Sequence, residues 1–355
     1  MQHLTLPASS ASQLMGPAIE SLCRRQALIR GVARRSTTVL LILLLLAVGL
    51  SVGFVEQAFA VGSTFYVSTA GSDTNAGSQA APWKTIQKAA NTAKAGDTVY
   101  IGPGTYGERV TISGSGTSGA PIVFTAQSTR PKISRGILIS GSYIEFSNFT
   151  PWPMSSGDAA SVSAVDISGG HNYVHDFDVP TGSLGGSGMG FESSASYNTI
   201  ANFAITDIPY CGAGYAPGSS QNIIRDGYVH GFGDNVCIGN LDGSYNTLQN
   251  VDITGWGEAH KAAGWQNPAN NDGDGIHPGP GSSNCVIRGV KIHDIFPAAG
   301  GDPHTDAIQW WYPVTNLLVE NCVLGSFDTA PSGIGSTAGL ADCFNSLFMV
   351  SGADG

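Results

Sequence analysis

Two short stretches concentrate the groups of this chain that could move protons or hold a cation: Asn271-Asp-Gly-Asp-Gly-Ile-His277 and Asp302-Pro-His-Thr-Asp-Ala-Ile-Gln309. They carry the carboxylates of Asp272, Asp274, Asp302 and Asp306 and the imidazoles of His277 and His304. Carboxylates held close together resist ionising at once, so something must offset their repulsion. A hard cation such as calcium takes about six to eight oxygen ligands, and Asp272, Asp274 and Asp302 are the acids assigned to it. A shared proton would instead split a carboxyl pair into acid and base. Pairing with His277 or His304 is a third solution. The bland alternative is a set of solvated acids capping Asp-Gly turns.

A repeat must position these groups. Asn172-Tyr-Val-His-Asp-Phe-Asp-Val179 returns in related form at Asn198–Ile205, Asn222–Val229, Asn246–Ile253, Cys285–Ile292 and Leu317–Leu324, with a weaker copy at Ser142–Phe149. The starts of the strong copies lie 26, 24, 24, 39 and 32 residues apart. Periods of this size mean a stacked, quasi-one-dimensional fold. The third and eighth positions are aliphatic and point inward, coil over coil, at about 4.8 Å per layer. The fifth position runs Asp176, Asn202, Asp226, Asn250, Gly289, Asn321. It reads as a stabilising column of stacked amides.

The repeat also serves as a ruler. Asp274 lies 11 residues before Cys285, and Asp306 lies 11 before Leu317. The two therefore share a column in neighbouring coils, as do Ile276 with Ile308 and His277 with Gln309. Asn235 has the same offset from Asn246. The two longest spacings add residues at 255–284 and 294–316, and long loops on a rigid scaffold carry function. Lys261 lies in the longer loop without an evident partner, which makes it the candidate base. Arg288 and Lys291, by contrast, fall beside Glu320 and Asp252 of neighbouring coils and read as ion pairs. Trp310 and Trp311 follow the acid column directly. With His277 and Gln309 they form the candidate substrate-binding set, because exposed aromatic faces suit sugar rings.

Residues 1–60 read as a leader: five arginines, an apolar run over Val39–Leu50, then Ala58-Phe59-Ala60 as an A-x-A cleavage pattern. Secretion, with no lasting membrane partner after cleavage, is the expectation. Removing the leader leaves 11 basic and 24 acidic residues, a net of −13, which argues against a nucleic-acid partner. Five cysteines then remain, at 211, 237, 285, 322 and 343, without C-x-x-C spacing, and read mostly as small buried hydrophobes. Residues 61–135 are expected to form an N-terminal cap and first coils, with one helix over Pro82–Ala95. Residues 136–355 are expected to form the remaining coils of a monomer. They end without a cap, as in a fragment of a longer protein.

Tyr66-Val-Ser-Thr-Ala-Gly-Ser-Asp-Thr-Asn-Ala-Gly77, Pro82-Trp-Lys-Thr-Ile-Gln-Lys-Ala89 and Ala95-Gly-Asp-Thr-Val-Tyr-Ile-Gly-Pro-Gly-Thr-Tyr106 together resemble the opening of secreted right-handed parallel β-helix proteins. The stretch is similar to the start of calcium-dependent pectate lyases of the ninth polysaccharide-lyase family. The resemblance implies an all-β, right-handed, single-stranded parallel β-helix with an N-terminal capping helix. It also implies calcium on an Asp cluster, a lysine base, and β-elimination on an acidic, uronic-acid polysaccharide. Asp302-Pro-His304 resembles the core of mannuronan C5-epimerases, which would make His304 the proton-transferring group and Asp306 its positioner. An inverting hydrolase built on Asp272, Asp274 and Asp306, or a glycan-binding module without catalysis, are the other expectations.

Overall fold

The computed structural model describes residues 62–152, 163–180, 187–208, 211–232, 236–254, 274–279, 281–293, 307–308 and 313–324, all within the unit Ala60–Gly355. The expected leader and the last expected coil lie outside them. No helix among the described residues is long and apolar enough to cross a membrane.

The described chain is a parallel β-solenoid. Strands β1 (Thr64–Val67), β2 (Thr98–Ile101), β5 (Ile122–Ala126), β8 (Ile144–Pro151), β10 (Tyr173–Val179), β12 (Thr199–Ile208), β14 (Ile223–Phe232) and β16 (Thr247–Thr254) follow one another across the larger sheet. The sheet continues through β18 (Val286–Arg288) with β19 (Lys291–His293), then β20 (Leu318–Glu320) with β21 (Val323–Leu324), while β3 (Thr105–Tyr106) and β6 (Lys132–Ile133) pair at its side. A second sheet stacks β4 (Val110–Ile112), β7 (Ile137–Ile139), β9 (Val165–Ile167), β11 (Met189–Phe191), β13 (Ala213–Tyr215), β15 (Val236–Leu241) and β17 (Asp274–His277) in chain order. One coil thus contributes a strand to each sheet. The core lies between them.

The inward columns are those expected. Val174, Ile200, Ile224, Leu248 and Ile287 are fully buried, as are Val179, Ile205, Val229, Ile253 and Ile292. The sixth position adds a third column through Phe177, Phe203, Val251, Val290 and Cys322. The rings stack along the axis, Phe149 on Phe177 at 5.3 Å and Phe177 on Phe203 at 6.1 Å. Gly227 makes room for this column: a Cβ there would meet the Phe203 ring at 2.6 Å. Cys285 and Cys322 are buried as expected, and desolvation raises both thiol pKa values. Val174 pairs with Phe146, so the weak copy is Ile144–Pro151, two residues later than its sequence suggested.

The fifth-position column has a different cause from the one expected. Asn148, Asp176, Asn202, Asp226, Asn250, Gly289 and Asn321 all adopt φ between 52° and 63°. The chain bends there in the left-handed region, which Asn, Asp and Gly tolerate best. Among the described residues one hydrogen bond joins successive members, from Asn250 Nδ2 to Asp226 Oδ1 at 3.0 Å. The asparagine ladder sits instead at the first position. Asn172, Asn198, Asn222 and Asn246 are at most 2% exposed. The backbone N–H of Asn172 donates to Asn198 Oδ1 at 2.9 Å, that of Asn198 to Asn222 Oδ1 at 3.0 Å, and that of Asn222 to Asn246 Oδ1 at 2.9 Å. Each amide nitrogen donates to a carbonyl of the preceding coil, such as Asn198 Nδ2 to Gly169 O at 2.9 Å. The ladder stops at Asn246, because the next two coils place Cys285 and Leu317 at this position.

The helix is shorter than expected: α1 spans only Ile86–Ala90, with Thr85 as N-cap, rather than Pro82–Ala95. Trp83 is drawn into a parallel bridge with Val67, which removes the intended first turn from the helix. Ile86, Ala89 and Ala90 still bury into the core.

Asn198→Ala leaves the Asn172 N–H buried without a partner and the Gly169 carbonyl with only its long bond from the Ser196 N–H, and should cost about 1–3 kcal/mol in urea denaturation. Asn250→Ala should cost about 1 kcal/mol more than Asn250→Gly, since both lose the hydrogen bond to Asp226 and only alanine is strained in the left-handed backbone. Asp242 supplies a pH test. Its carboxyl is 1% exposed and its Oδ1 has no partner, and desolvation lifts its pKa from 3.8 to about 6. The folded state therefore holds this proton more tightly than the unfolded one, and stability falls as pH rises between those values. Asp242→Asn should flatten that fall and raise the neutral-pH melting temperature.

Candidate functional site

Among the described residues, the most distinctive site is the outer face of the second sheet. Alternation turns Val165, Met189, Ala213, Ile238 and Ile276 into the core, all buried. Their neighbours Asp166, Gly190, Gly214, Gly239 and His277 pair in succession across β9, β11, β13, β15 and β17, forming one outward row. Three glycines in a row leave the middle of this face without side chains. A cavity of ≈ 260 Å³ opens over Gly190 and Gly214, lined also by Ser163, Ser187, Glu192 and Cys211. The register slips between Gly214 and Tyr215, where β15 carries an extra residue, and this bulge twists the floor of the row.

The two ends of the row differ chemically. At one end Asp166, its side chain 7% exposed, accepts from Arg109 Nη2 at 2.6 Å. Desolvation lifts the Asp166 pKa, against hydrogen bonds from Arg109 and Ser163 that lower it. At the other end stands the imidazole of His277, held below 6.5 by desolvation and hence neutral at neutral pH. The two ends are about 19 Å apart, four inter-strand spacings.

Of the residues predicted from sequence, the structure places two here. Asp274 opens β17, and His277 closes it on the outer row. The bridge between Ile276 and Ile308 puts those two residues in register, as the repeat offset required. Asp274 pairs with Val236 rather than with Asn235, because the stretch from Val236 to Asn246 is one residue shorter than that from Asp274 to Cys285. Lys261, Asp272, Asp302, His304, Asp306, Gln309, Trp310 and Trp311 lie outside the described residues. The connections that carry most of them nevertheless have known ends: 255–273 leaves β16 and enters β17, and 294–306 leaves β19. Among the described residues no group of three or more His, Cys, Asp or Glu side chains is arranged to hold a metal ion.

A second cluster marks the edge where those connections leave. His230 Nε2 lies 3.3 Å and His293 Nε2 3.1 Å from the same oxygen of Asp252, Oδ1. The sequence had paired Asp252 with Lys291. Lys291 is indeed its register neighbour, but the carboxylate turns to the two imidazoles at the strand ends. Arg288 pairs with Glu320, as expected. Neither the glycine row nor the Arg109–Asp166 pair was read from sequence. The pair spans 57 residues, and only the strand register brings its members together.

Residues 65–203 match the family model described as the Pel9A-like right-handed β-helix region, and the solenoid is accordingly a right-handed β-helix. The uncharacterised protein YwoF of Bacillus subtilis (strain 168) is 40% identical over 83 residues, which make up 23% of this chain and 17% of that protein. The chain thus spans less than a fifth of this relative's length. The lacto-N-biosidase of Eubacterium ramulus superposes with a TM-score of 0.50 at 12% identity, over 74% of this chain and 56% of that one. Pectate lyase Pel9A gives 0.39 at 15% identity, over 78% and 82% of the two chains. The alginate lyase from Paenibacillus sp. str. FPU-7 gives 0.44 at 14% identity, over 67% and 95%. At these identities the likeness is one of fold: a β-helix architecture found in polysaccharide lyases and glycoside hydrolases.

Arg109→Ala would strand a nearly buried carboxylate and should cost roughly 3 kcal/mol at neutral pH. The loss should shrink in mild acid, because a protonated Asp166 has no charge to strand. Urea titrations at the two pH values check it.

Proposed function

We propose that the protein is a secreted lyase that cleaves an acidic, uronic-acid polysaccharide by β-elimination. The observation that carries this reading is the glycine-floored row ending at His277, onto which the connection 255–273, carrying Lys261 and Asp272, returns through Asp274. An open groove along the axis suits a linear polymer, and its reacting end would be the end where the titratable loops meet it.

Elimination requires a base for the C5 proton and a means of neutralising the neighbouring carboxylate. Lys261 is assigned as the base, with His304 as a further proton-transferring group and Asp306 as its positioner. His277, Gln309, Trp310 and Trp311 orient the sugar. A neutral His277 can hydrogen-bond a substrate carboxylate or hydroxyl without adding charge. The oxygen donors of Asp272, Asp274 and Asp302 suit calcium, which would supply positive charge against the substrate carboxylate.

Incubation with pectate and alginate should give the ultraviolet absorbance of an unsaturated product, weaker in chelator and lost in Asp306→Ala without loss of fold. Reducing ends without that absorbance would replace the lyase by a hydrolase, and altered uronate stereochemistry without cleavage by an epimerase. Binding without any turnover would leave a glycan-binding module. Full activity in chelator would remove calcium.

A further inference from the structure

The cavity over Gly190 and Gly214, two to three inter-strand spacings or about 10–14 Å from His277, has a chemistry that does not match an acidic sugar. Among the residues lining the cavity over Gly190 and Gly214, Glu192 is the one charged side chain. Near it stands the ion pair of Arg109 with Asp166, at 2.6 Å. Arg109 engages Oδ2 of Asp166. Its other oxygen, Oδ1, lies 3.6 Å from where a Cβ on Gly190 would stand, and Ser163 Oγ lies 3.4 Å from the same point. Two fixed oxygens therefore border the bare floor, one of them on a carboxylate held rigid by an ion pair. A uronate here would face Asp166 and Glu192 with no unmatched cation, which costs affinity. A hydroxyl here would donate to a charged acceptor, one of the stronger neutral-to-ion hydrogen bonds.

We propose that the groove over Gly190 and Gly214 is a remote subsite that takes the hydroxyls of an uncharged sugar unit, through Asp166 Oδ1 and Ser163 Oγ. The inference rests on the lyase reading for the other end of the row. Together they define the substrate as a mixed glycan, with an acidic unit at His277 and a neutral unit two to three strand spacings away. The glycines let the chain lie against the sheet between the two. Asp166 is then a specificity residue, and Arg109, which acts through it, a positioning residue.

The test compares short uronate oligomers with longer oligomers of two kinds, carrying either a neutral or an acidic unit at the remote end. Gly190→Leu fills the floor without straining the backbone, since a strand accepts leucine more readily than glycine. It should raise KM for the long neutral-ended oligomers about tenfold or more, with kcat and the short-oligomer KM unchanged. Asp166→Asn removes the carboxylate that faces both Arg109 and the floor and should invert the preference, so that the acidic remote unit binds better. A structural role would not produce that inversion. Equal KM changes for short and long oligomers, or a wild-type preference for the acidic remote unit, would overturn the subsite. If the protein cleaves none of them, calorimetry with the neutral-ended oligomer separates the two ideas. Binding to wild type that is lost in Gly190→Leu keeps the subsite and discards the lyase. Binding that is equal in both, or absent from wild type, discards the subsite.

Discussion

Everything in this molecule depends on coils staying in register, and a buried column of asparagine side chains enforces it. Burial of aliphatic residues alone does not fix register, because hydrophobic contact is non-directional. The amides of Asn172, Asn198, Asn222 and Asn246 are directional: each accepts from a backbone N–H of the coil before it and donates to a carbonyl of that same neighbouring coil. A buried amide left without partners costs more than a satisfied one contributes, so a slipped coil is penalised at every rung. Just before each rung the chain passes through a second left-handed residue, including Tyr143, His171 and Tyr197. Their rings stack at 4.8 Å with nearly parallel planes, which offsets part of the backbone strain.

Register held this firmly is what turns small sequence choices into a site. Because the second sheet repeats three-residue strands, one outward residue per coil decides the character of its face. Aspartate, three glycines and histidine in that row give a bare channel with unlike ends. The connections leaving β16 and β19 differ in length, yet they depart from strand ends only one layer apart. The scaffold and the variable parts are thus separated by construction. Columns supply position, and connections supply chemistry.

The columns were legible in the sequence because they repeat. The aliphatic third and eighth positions, the buried cysteines and the Ile276–Ile308 register follow from counting residues. The roles of the two asparagine columns did not follow, because hydrogen bonding and left-handed backbone both select Asn, and composition cannot separate them. Position does: the first-position side chains point inward and the fifth sit at a bend. Helix length was misjudged because Trp83 is drawn into a bridge with Val67, a tertiary contact that no local pattern announces. Asp166 escaped notice for a related reason. Its short strand lies outside the strong copies, and its partner Arg109 belongs to another coil. Asp274 and His277 were found because the repeat measured their place, whereas the Asp252 imidazole pair required the ninth residue of each strand, beyond the eight-residue pattern.

The end of the ladder at Asn246 divides the stack energetically. In a quasi-one-dimensional fold, stability is a sum over coils and their nearest-neighbour interfaces. Coils tied by amides and coils tied by Cys285 and Leu317 therefore form two blocks of unequal strength. Slow opening starts in the weaker block and is arrested at Asn246, so amide exchange grades along the axis with a step at that rung. His277 lies in the chain between Asn246 and Cys285, at the step itself, while Gly190 and Gly214 lie inside the stronger block. One end of the groove is anchored and the other breathes.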